Sequence, residues 1–391
     1  MSDEKPPAQQ AIKAENLKRI FLELHRRGEM TRVQLSRSTD LSAATVSALV
    51  DELVRLGLFV EMGPARTDHI GRKPINLRIR PDGRQLPVFA LTRNGAHFTL
   101  YDLNLQSLET LFVPLDSGRY GSLEGGEYPD SGQDYANLLR GALEKSHRFD
   151  AARAAAVCVV SPGAFDRERD AFLLPELRVR FSRSAMADLE KELQVPLFFG
   201  KSSMARAYAE KKALDAAGEE VRDLIYLCVS DSVSAGILCG GDLFLGAEGA
   251  AGEIGRMAVD WDGVPCACLE RYVNVNAILE SFGEAAALES VGSAYEAGNP
   301  AAVRALDGVA EKLFRGICGA VCLTGIRRVV IGGGIERLGR GFLLKLRSFA
   351  RENRRWTPAR DIAIDYSRCA PGGDALGIAS YFLDRVYTIV S

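Results

Sequence analysis

The chain has 391 residues, 47% of them hydrophobic and 26% charged, with a formal net charge of −2. That is ample for two or three buried cores, and the near-zero balance excludes a chain drawn to nucleic acid by its overall field. No stretch reaches the roughly 18 consecutive apolar residues of a membrane span, the first eleven residues are polar and lack the apolar segment of a secretory leader, and eight cysteines are too few for a disulfide scaffold. A reducing cytoplasm is therefore expected, with no membrane partner, and with Cys158, Cys228, Cys239, Cys318 and Cys322, all set in apolar runs, as buried thiols.

Charge is unevenly placed. Residues 1–80 hold 14 Lys+Arg against 10 Asp+Glu, leaving 35 against 41 in the rest, a mildly basic head on an acidic body. Residues 12–27 carry Ile12, Leu17, Ile20, Phe21 and Leu24 at helical spacing, and Gly28 ends the run. Thr31 and Gln34 then read as a capping box, with Met30 stapled to Leu35, opening a short helix that ends near Thr39. Ser42 caps a third helix with apolar Val46, Leu49, Val50, Leu53 and Val54 on one side, and Ala44, Thr45, Ser47, Ala48, Asp51 and Arg55 on the other; Gly57 stops it. Two extended runs, 58–62 and 75–79, flank a polar loop with Arg66, Arg72 and Lys73.

Three helices with a tight turn before the third, then a basic hairpin, form the pattern of a winged helix-turn-helix, a reader of duplex DNA; a helical protein-interaction module is the alternative. The expected contacts are Ser42, Ala44, Thr45, Ser47 and Ala48 in the major groove and Arg66, Arg72 and Lys73 from the wing. The third helix offers hydroxyls and methyls but no Arg, Asn or Gln near its start for bidentate base contacts. Affinity should therefore lean on phosphates and specificity partly on DNA shape.

Residues 81–87 read as a linker. Beyond it the chain alternates strands (88–91, 98–101, 154–160, 224–229, 235–239, 329–331) with helices (138–146, 273–280, 302–323, 342–353), an α/β body. Residues 116–133 are rich in Gly and Ser and read as a surface insertion, and no solenoid-like repeat is evident.

The run Gly246-Ala-Glu-Gly-Ala-Ala-Gly-Glu253-Ile-Gly255, followed by Pro265-Cys266-Ala-Cys268-Leu-Glu270, resembles the ROK family of bacterial sugar kinases and sugar-responsive repressors. Gly71-Arg72-Lys73-Pro74, Val195-Pro196 and Gly332-Gly333-Gly334 support the match, which covers nearly the whole chain. The resemblance implies a winged helix-turn-helix (1–80), the linker 81–87 and a two-lobed, actin-like effector-sensing and oligomerisation domain (88–391). Lobe 1 is expected at about 88–199 plus a C-terminal helix 376–391, and lobe 2 at about 200–375.

The departures from the family pattern bear on chemistry. Where the family's kinases have Glu-Asn-Asp, with Asp as general base, this chain has Gly200-Lys201-Ser202, and a lone hydroxyl is no general base near neutral pH. The two phosphate loops are replaced by Leu91-Thr92-Arg93-Asn94-Gly95 and Ser230-Asp231-Ser232-Val233-Ser234, leaving Gly332–Gly334. The family's structural zinc uses a His where Arg256 stands and three Cys where only Cys266 and Cys268 remain, short of a tetrahedral set. No catalytic residue, metal or cofactor is expected.

The implied protein is a DNA-binding transcriptional regulator, a repressor of carbohydrate-related genes, whose degenerate kinase-like body binds an effector through Lys201, Ser202, Glu253, Arg256 and Glu270. The expected partners are an operator duplex, a sugar or anionic sugar derivative, and further copies of the chain in a homodimer or tetramer. An atypical sugar kinase and an effector-independent DNA-binding protein are the alternatives. Within the cleft, Lys201 and Arg256 can serve an anionic effector, or Arg256 can pair internally with Glu253 or Glu270.

Overall fold

The computed structural model describes residues 8–64, 74–92, 95–115, 130–161, 163–166, 171–174, 179–260, 267–282, 287–353, 361–369 and 372–389. In the head, α1 (Ala8–Arg27) buries Leu17, Ile20, Phe21 and Leu24 along the predicted stripe. A two-residue strand β1 (Met30–Thr31) leads into α2 (Arg32–Thr39), where Thr31 and Gln34 close the capping box reciprocally. Asp40 turns the chain in the left-handed region (φ 56°), and the Ser42 hydroxyl caps α3 (Ala43–Arg55) by accepting from the Thr45 N–H. The wing strands β2 (Phe59–Pro64) and β3 (Ile75–Ile79) pair antiparallel, and β1 adds to the other edge of β3. The loop carrying Arg66, Arg72 and Lys73 lies outside the described residues.

The segment read as a linker is built into the structure. Pro81–Gly83 forms a 3-10 turn and β4 (Gln85–Thr92) begins within it. Arg80 N–H donates to the Leu58 carbonyl, Leu103 N–H donates to that of Pro81, and the Gln85 amide side chain donates to Arg148 O and accepts from Asp150 N–H. Pro, Asp, Gly and Arg gave the stretch its linker look, whereas Leu86 is fully buried.

Lobe 1 adds β5 (Gly95–Asp102), β6 (Ser107–Pro114), α4 (Gly132–Lys145), β7 (Val157–Ser161), a small meander β8 (Ala164–Asp166), β9 (Ala171–Leu174) and β10 (Val179–Ser182), then α5 (Arg183–Leu193) and β11 (Leu197–Lys201). Its main sheet runs β11-β7-β4-β5-β6. The interior strand β7 is apolar up to Ser161 and buried throughout, as a strand covered on both faces must be. Of the expected insertion, residues 116–129 lie outside the described residues, Asp130 forms an isolated bridge to Arg180, and Gly132 opens α4.

Next comes α6 (Ser202–Ala216), and lobe 2 follows with β12 (Leu224–Val229), β13 (Val233–Cys239), β14 (Asp242–Leu243), α7 (Leu269–Val273), α8 (Val275–Glu280), α9 (Leu288–Glu296), α10 (Pro300–Thr324), β15 (Arg328–Gly332), α11 (Gly339–Glu352) and β16 (Ala363–Tyr366). The sheet order β14-β13-β12-β15-β16 repeats the logic of lobe 1, an antiparallel meander joined to a parallel pair. The single helix expected over 273–280 is broken at Asn274, whose side chain caps α8. Two of the five thiols expected inside are exposed: Cys239 ends β13 before Gly240-Gly241, and Cys322 lies in the last turn of α10; Cys318 is half-buried.

The chain ends in α12 (Gly373–Tyr381) and one π-helical turn, Phe382–Val386, shorter than the C-terminal helix expected over 376–391. α12 crosses α6 so closely that a Cβ on Gly377 would lie 1.8 Å from the Ala205 carbonyl oxygen. From the other side, β13 meets α6 at Gly236, where a Cβ would lie 2.1 Å from Ser203 O. No helix among the described residues is long and apolar enough to cross a membrane.

Candidate nucleic-acid interface and effector cleft

On α3, Ser42, Ala44 and Ala48 are exposed and Thr45 and Ser47 half-buried, so the face expected to read DNA is open. Its hydroxyls are less free than the sequence implied. Ser42 Oγ and Thr45 Oγ1 bond each other at 2.8 Å, leaving one outward proton between them. Arg32 donates to the Ser47 carbonyl (3.0 Å) and Oγ (3.1 Å) and pairs with Asp51 and Glu61 at 2.8 Å each. Ser47 Oγ thus has one lone pair engaged and keeps its proton and a second lone pair to offer, and Arg32 neutralises two carboxylates beside this face. Neither role is visible in the sequence, because the partners are 15 to 29 positions away. Arg37 was also passed over: it is exposed in the last turn of α2 and has no ion-pair partner among the described residues.

In the cleft, β11 ends at Lys201 and α6 starts at Ser202. Lys201 Nζ reaches across to Glu253 Oε1 at 2.6 Å, with the lysine side chain 11% and the glutamate 40% exposed. Glu253 thus has a partner, and it is Lys201, not Arg256. Glu270 Oε2 accepts from the Val233 N–H at 2.9 Å, which pins the turn replacing the second phosphate loop. Arg256 is exposed and has no ion-pair partner among the described residues. Ser202, at the position of the kinases' base, sits half-buried in the first turn of α6.

The remaining loops explain why the glycines persist without the chemistry. Thr92 and Gly95 close the β4–β5 hairpin, and Arg93 and Asn94 lie outside the described residues. The Ser230–Ser234 turn spends its first amide on Ser232 O at 2.9 Å. A Cβ on Gly332 would lie 2.1 Å from the Tyr226 hydroxyl, and one on Gly333 2.7 Å from the Val229 nitrogen, so packing against β12 demands both. The Gly334 N–H, an amide a phosphate would need, donates instead to Glu336 Oε2 at 2.8 Å. A carboxylate already fills that place and repels an anion. The family's zinc does not fit: Arg256 stands in for a His ligand, Cys268 is buried at the start of α7, Cys266 lies outside the described residues, and among the described residues no three His, Cys, Asp or Glu side chains gather to hold a metal.

A winged helix-turn-helix seated on a two-lobed, sugar-kinase-like body is the class of protein these elements define. The chain belongs to the ROK family, whose sequence model matches residues 121–355. A xylose repressor from Caldicellulosiruptor bescii is 27% identical over 347 residues, covering 81% of this chain and 82% of its own. Among solved structures, a ROK family transcriptional regulator described as a homologue of the E. coli MLC protein superposes with TM-score 0.77 at 20% identity, covering 95% of this chain and 97% of its own. A ROK hexokinase from Thermus thermophilus gives 0.59 at 22% identity, covering 75% and 96%. Both a repressor and a kinase therefore stand among the similar proteins.

Proposed function

We propose that the protein is a DNA-binding transcriptional repressor of carbohydrate-related genes, acting in the cytoplasm as a homodimer or tetramer, whose kinase-like body binds a small-molecule effector and catalyses no phosphoryl transfer. The observation that carries the reading is α3: a capped, packed helix whose outward side is small and exposed, with the exposed Arg37 on the helix before it. Small side chains let the helix backbone lie deep in a major groove of about 12 Å, and a paired reader matches paired half-sites. Selection of bound fragments from a genomic pool tests this directly. Recovery of a repeated half-site supports it, and recovery of no enriched sequence refutes it.

The absence of catalysis is supported by Ser202 in place of the base, the Lys201–Glu253 pair across the cleft and the carboxylate on the Gly334 amide. A coupled assay with ATP and a sugar panel should stay at background, and turnover on any sugar would defeat this half of the reading. For the effector, Glu253 can accept from a sugar hydroxyl while Arg256, with no ion-pair partner among the described residues, takes a carboxylate or phosphate in bidentate fashion. An anionic sugar derivative is the favoured class. Titration calorimetry with neutral sugars, sugar acids and sugar phosphates decides it: tight binding of an unmodified hexose that survives Arg256→Ala sinks the idea.

A further inference from the structure

The junction between head and body is not a hinge on a string. Leu17, Ile20, Phe21 and Leu24 of α1 share one continuous core with Leu86, Leu103, Phe382, Leu383, Tyr387 and Ile389. Phe21 meets Tyr387 edge-on at 6.0 Å, and Lys18 Nζ donates to the Arg385 carbonyl at 2.7 Å. What the head grips is thus the C-terminal π-turn and the residues just after it. On its other side the same turn grips α6: Asp384 Oδ2 accepts from the Tyr208 hydroxyl at 2.7 Å and from Lys212 Nζ at 2.9 Å.

The far end of α6 lies in the cleft. Lys201, its N-cap, is the residue paired with Glu253. Eleven helical steps separate Lys201 from Lys212, about 16 Å at 1.5 Å per residue. Between those ends the helix is held at two bare glycine contacts, Gly236 and Gly377, where backbone lies on backbone. Such contacts transmit displacement because there is no flexible side chain to absorb it. The seam itself has room to move: a cavity of about 160 Å³ lies between α1, α6 and the π-turn, lined by His25, Arg26, Tyr208, Lys211, Asp384 and Arg385 among others.

We propose that the π-turn Phe382–Val386 couples the effector cleft to the DNA-binding head, and that Asp384 is its positioning residue, fixing the turn to α6 so that a change at Lys201 reaches α1. The proposal rests on the reading of the protein as a ligand-responsive DNA binder and supplies that reading with a route. A ligand that takes Glu253 releases Lys201, α6 shifts along its glycine contacts, and the turn carries the shift to Lys18 and Phe21. The π geometry suits the task. The Tyr387 N–H closes the wide turn on Phe382 O at 2.7 Å, a winding that costs stability in an ordinary helix and is retained mostly at functional positions.

Hydrogen exchange read by mass spectrometry on the full chain tests the coupling without DNA or effector. Glu253→Gln frees Lys201 and mimics an occupied cleft; it should change exchange in peptides covering residues 17–27 at least about threefold. Asp384→Asn keeps the shape but weakens the grip on α6, and in that background Glu253→Gln should no longer alter those peptides. Remote sites with no shared route are expected to act additively, so loss of the response is the signature. The proposal is overturned if Glu253→Gln leaves residues 17–27 unchanged, or if its effect persists undiminished beside Asp384→Asn. Should Asp384→Asn fold poorly, Tyr208→Phe removes one of the two bonds and should blunt the response by part. A chain that shows the coupling yet enriches no DNA sequence keeps this inference and defeats the functional reading.

Discussion

The outward face of α3 and the kinase-like cleft are both exposed, both derived from polar sequence, and opposite in state. On the first turns of α3 the outermost side chains are the methyls of Ala44 and Ala48, and the acids nearby are neutralised by Arg32 from within. In the cleft the polar groups, Arg256 excepted, have found each other: Lys201 with Glu253, Glu270 with the Val233 amide, Glu336 with the Gly334 amide. A face of small side chains, its hydroxyls already tied back by Thr45 and Arg32, pays little desolvation to meet another molecule. A ligand that takes Glu253 must first break its bond to Lys201, so it has to compete, and competition is what a switch requires.

The largest effect that can break this comparison is at Ala48. Ala48→Glu adds a charge to an exposed helix position, so the melting temperature should hardly move. DNA affinity should fall by about 100-fold, through lost groove contact and phosphate repulsion. Fluorescence anisotropy with a selected fragment measures it, and unchanged affinity would remove α3 from the interface. Deleting the head is a poorer test, because it strips Phe382 and Tyr387 of their cover. A smaller effect separates the two members of the cleft pair. Glu253→Gln leaves the 11%-exposed Lys201 side chain without its charge partner and should cost about 2 kcal/mol. Lys201→Met leaves a 40%-exposed carboxylate that water can serve and should cost about 1 kcal/mol or less. Urea midpoints decide the order, and equal losses would mean the cleft is drier than its exposure implies. Smaller again, Arg72→Ala should reduce the salt slope of DNA binding by about one unit, equally for all sequences, if the wing loop meets a phosphate.

The head was readable because its signals are local. The capping box at Thr31/Gln34, the Ser42 cap and the Ile75–Ile79 strand each depend on residues within a few positions. The body was readable as α/β from runs such as Leu224–Val229, but its two-lobed form came only through the family resemblance. The helix α6 left no amphipathic trace, because it is covered on both sides: Met204, Ala205, Ala207, Tyr208, Ala209 and even Glu210 are buried, the last accepting from Ser367 and Arg368 in the segment after β16. At the site, the identities at 201, 202, 253 and 256 could be read one by one. Which cation meets which acid could not, since Lys201 and Glu253 are 52 positions apart, and Arg256, three residues from Glu253, was the nearer guess. The linker reading failed for a related reason: Gln85 satisfies backbone groups more than 60 positions away.

The smallest effect sits where the two regions join, at His25. Its ring is half-buried, and Nε2 lies 3.0 Å from the Leu103 carbonyl, which can only accept, so the neutral ring donates there. Burial holds the imidazole below its ordinary value, the Asp384 carboxylate pulls it back up, Lys212 lowers it, and the Leu103 carbonyl and Asp102 raise it, with burial prevailing. A depressed folded pKa means that, as pH falls through the ordinary imidazole range near 6.5, the freed ring takes a proton before the docked ring does. Proton binding then favours the undocked or unfolded state, so stability at this junction is full above that range and declines toward the folded pKa as acid is added. His25→Gln keeps a donor for Leu103 O and cannot titrate. Between pH 7.5 and 5.5 the wild-type chain should therefore lose about 2 °C or less more than His25→Gln in a thermal melt, with faster exchange at residues 17–27 at the acid end. Parallel melting curves for the two proteins would show that His25 keeps the same proton affinity in and out of the seam, and the junction would then answer to the cleft through α6 and not to pH.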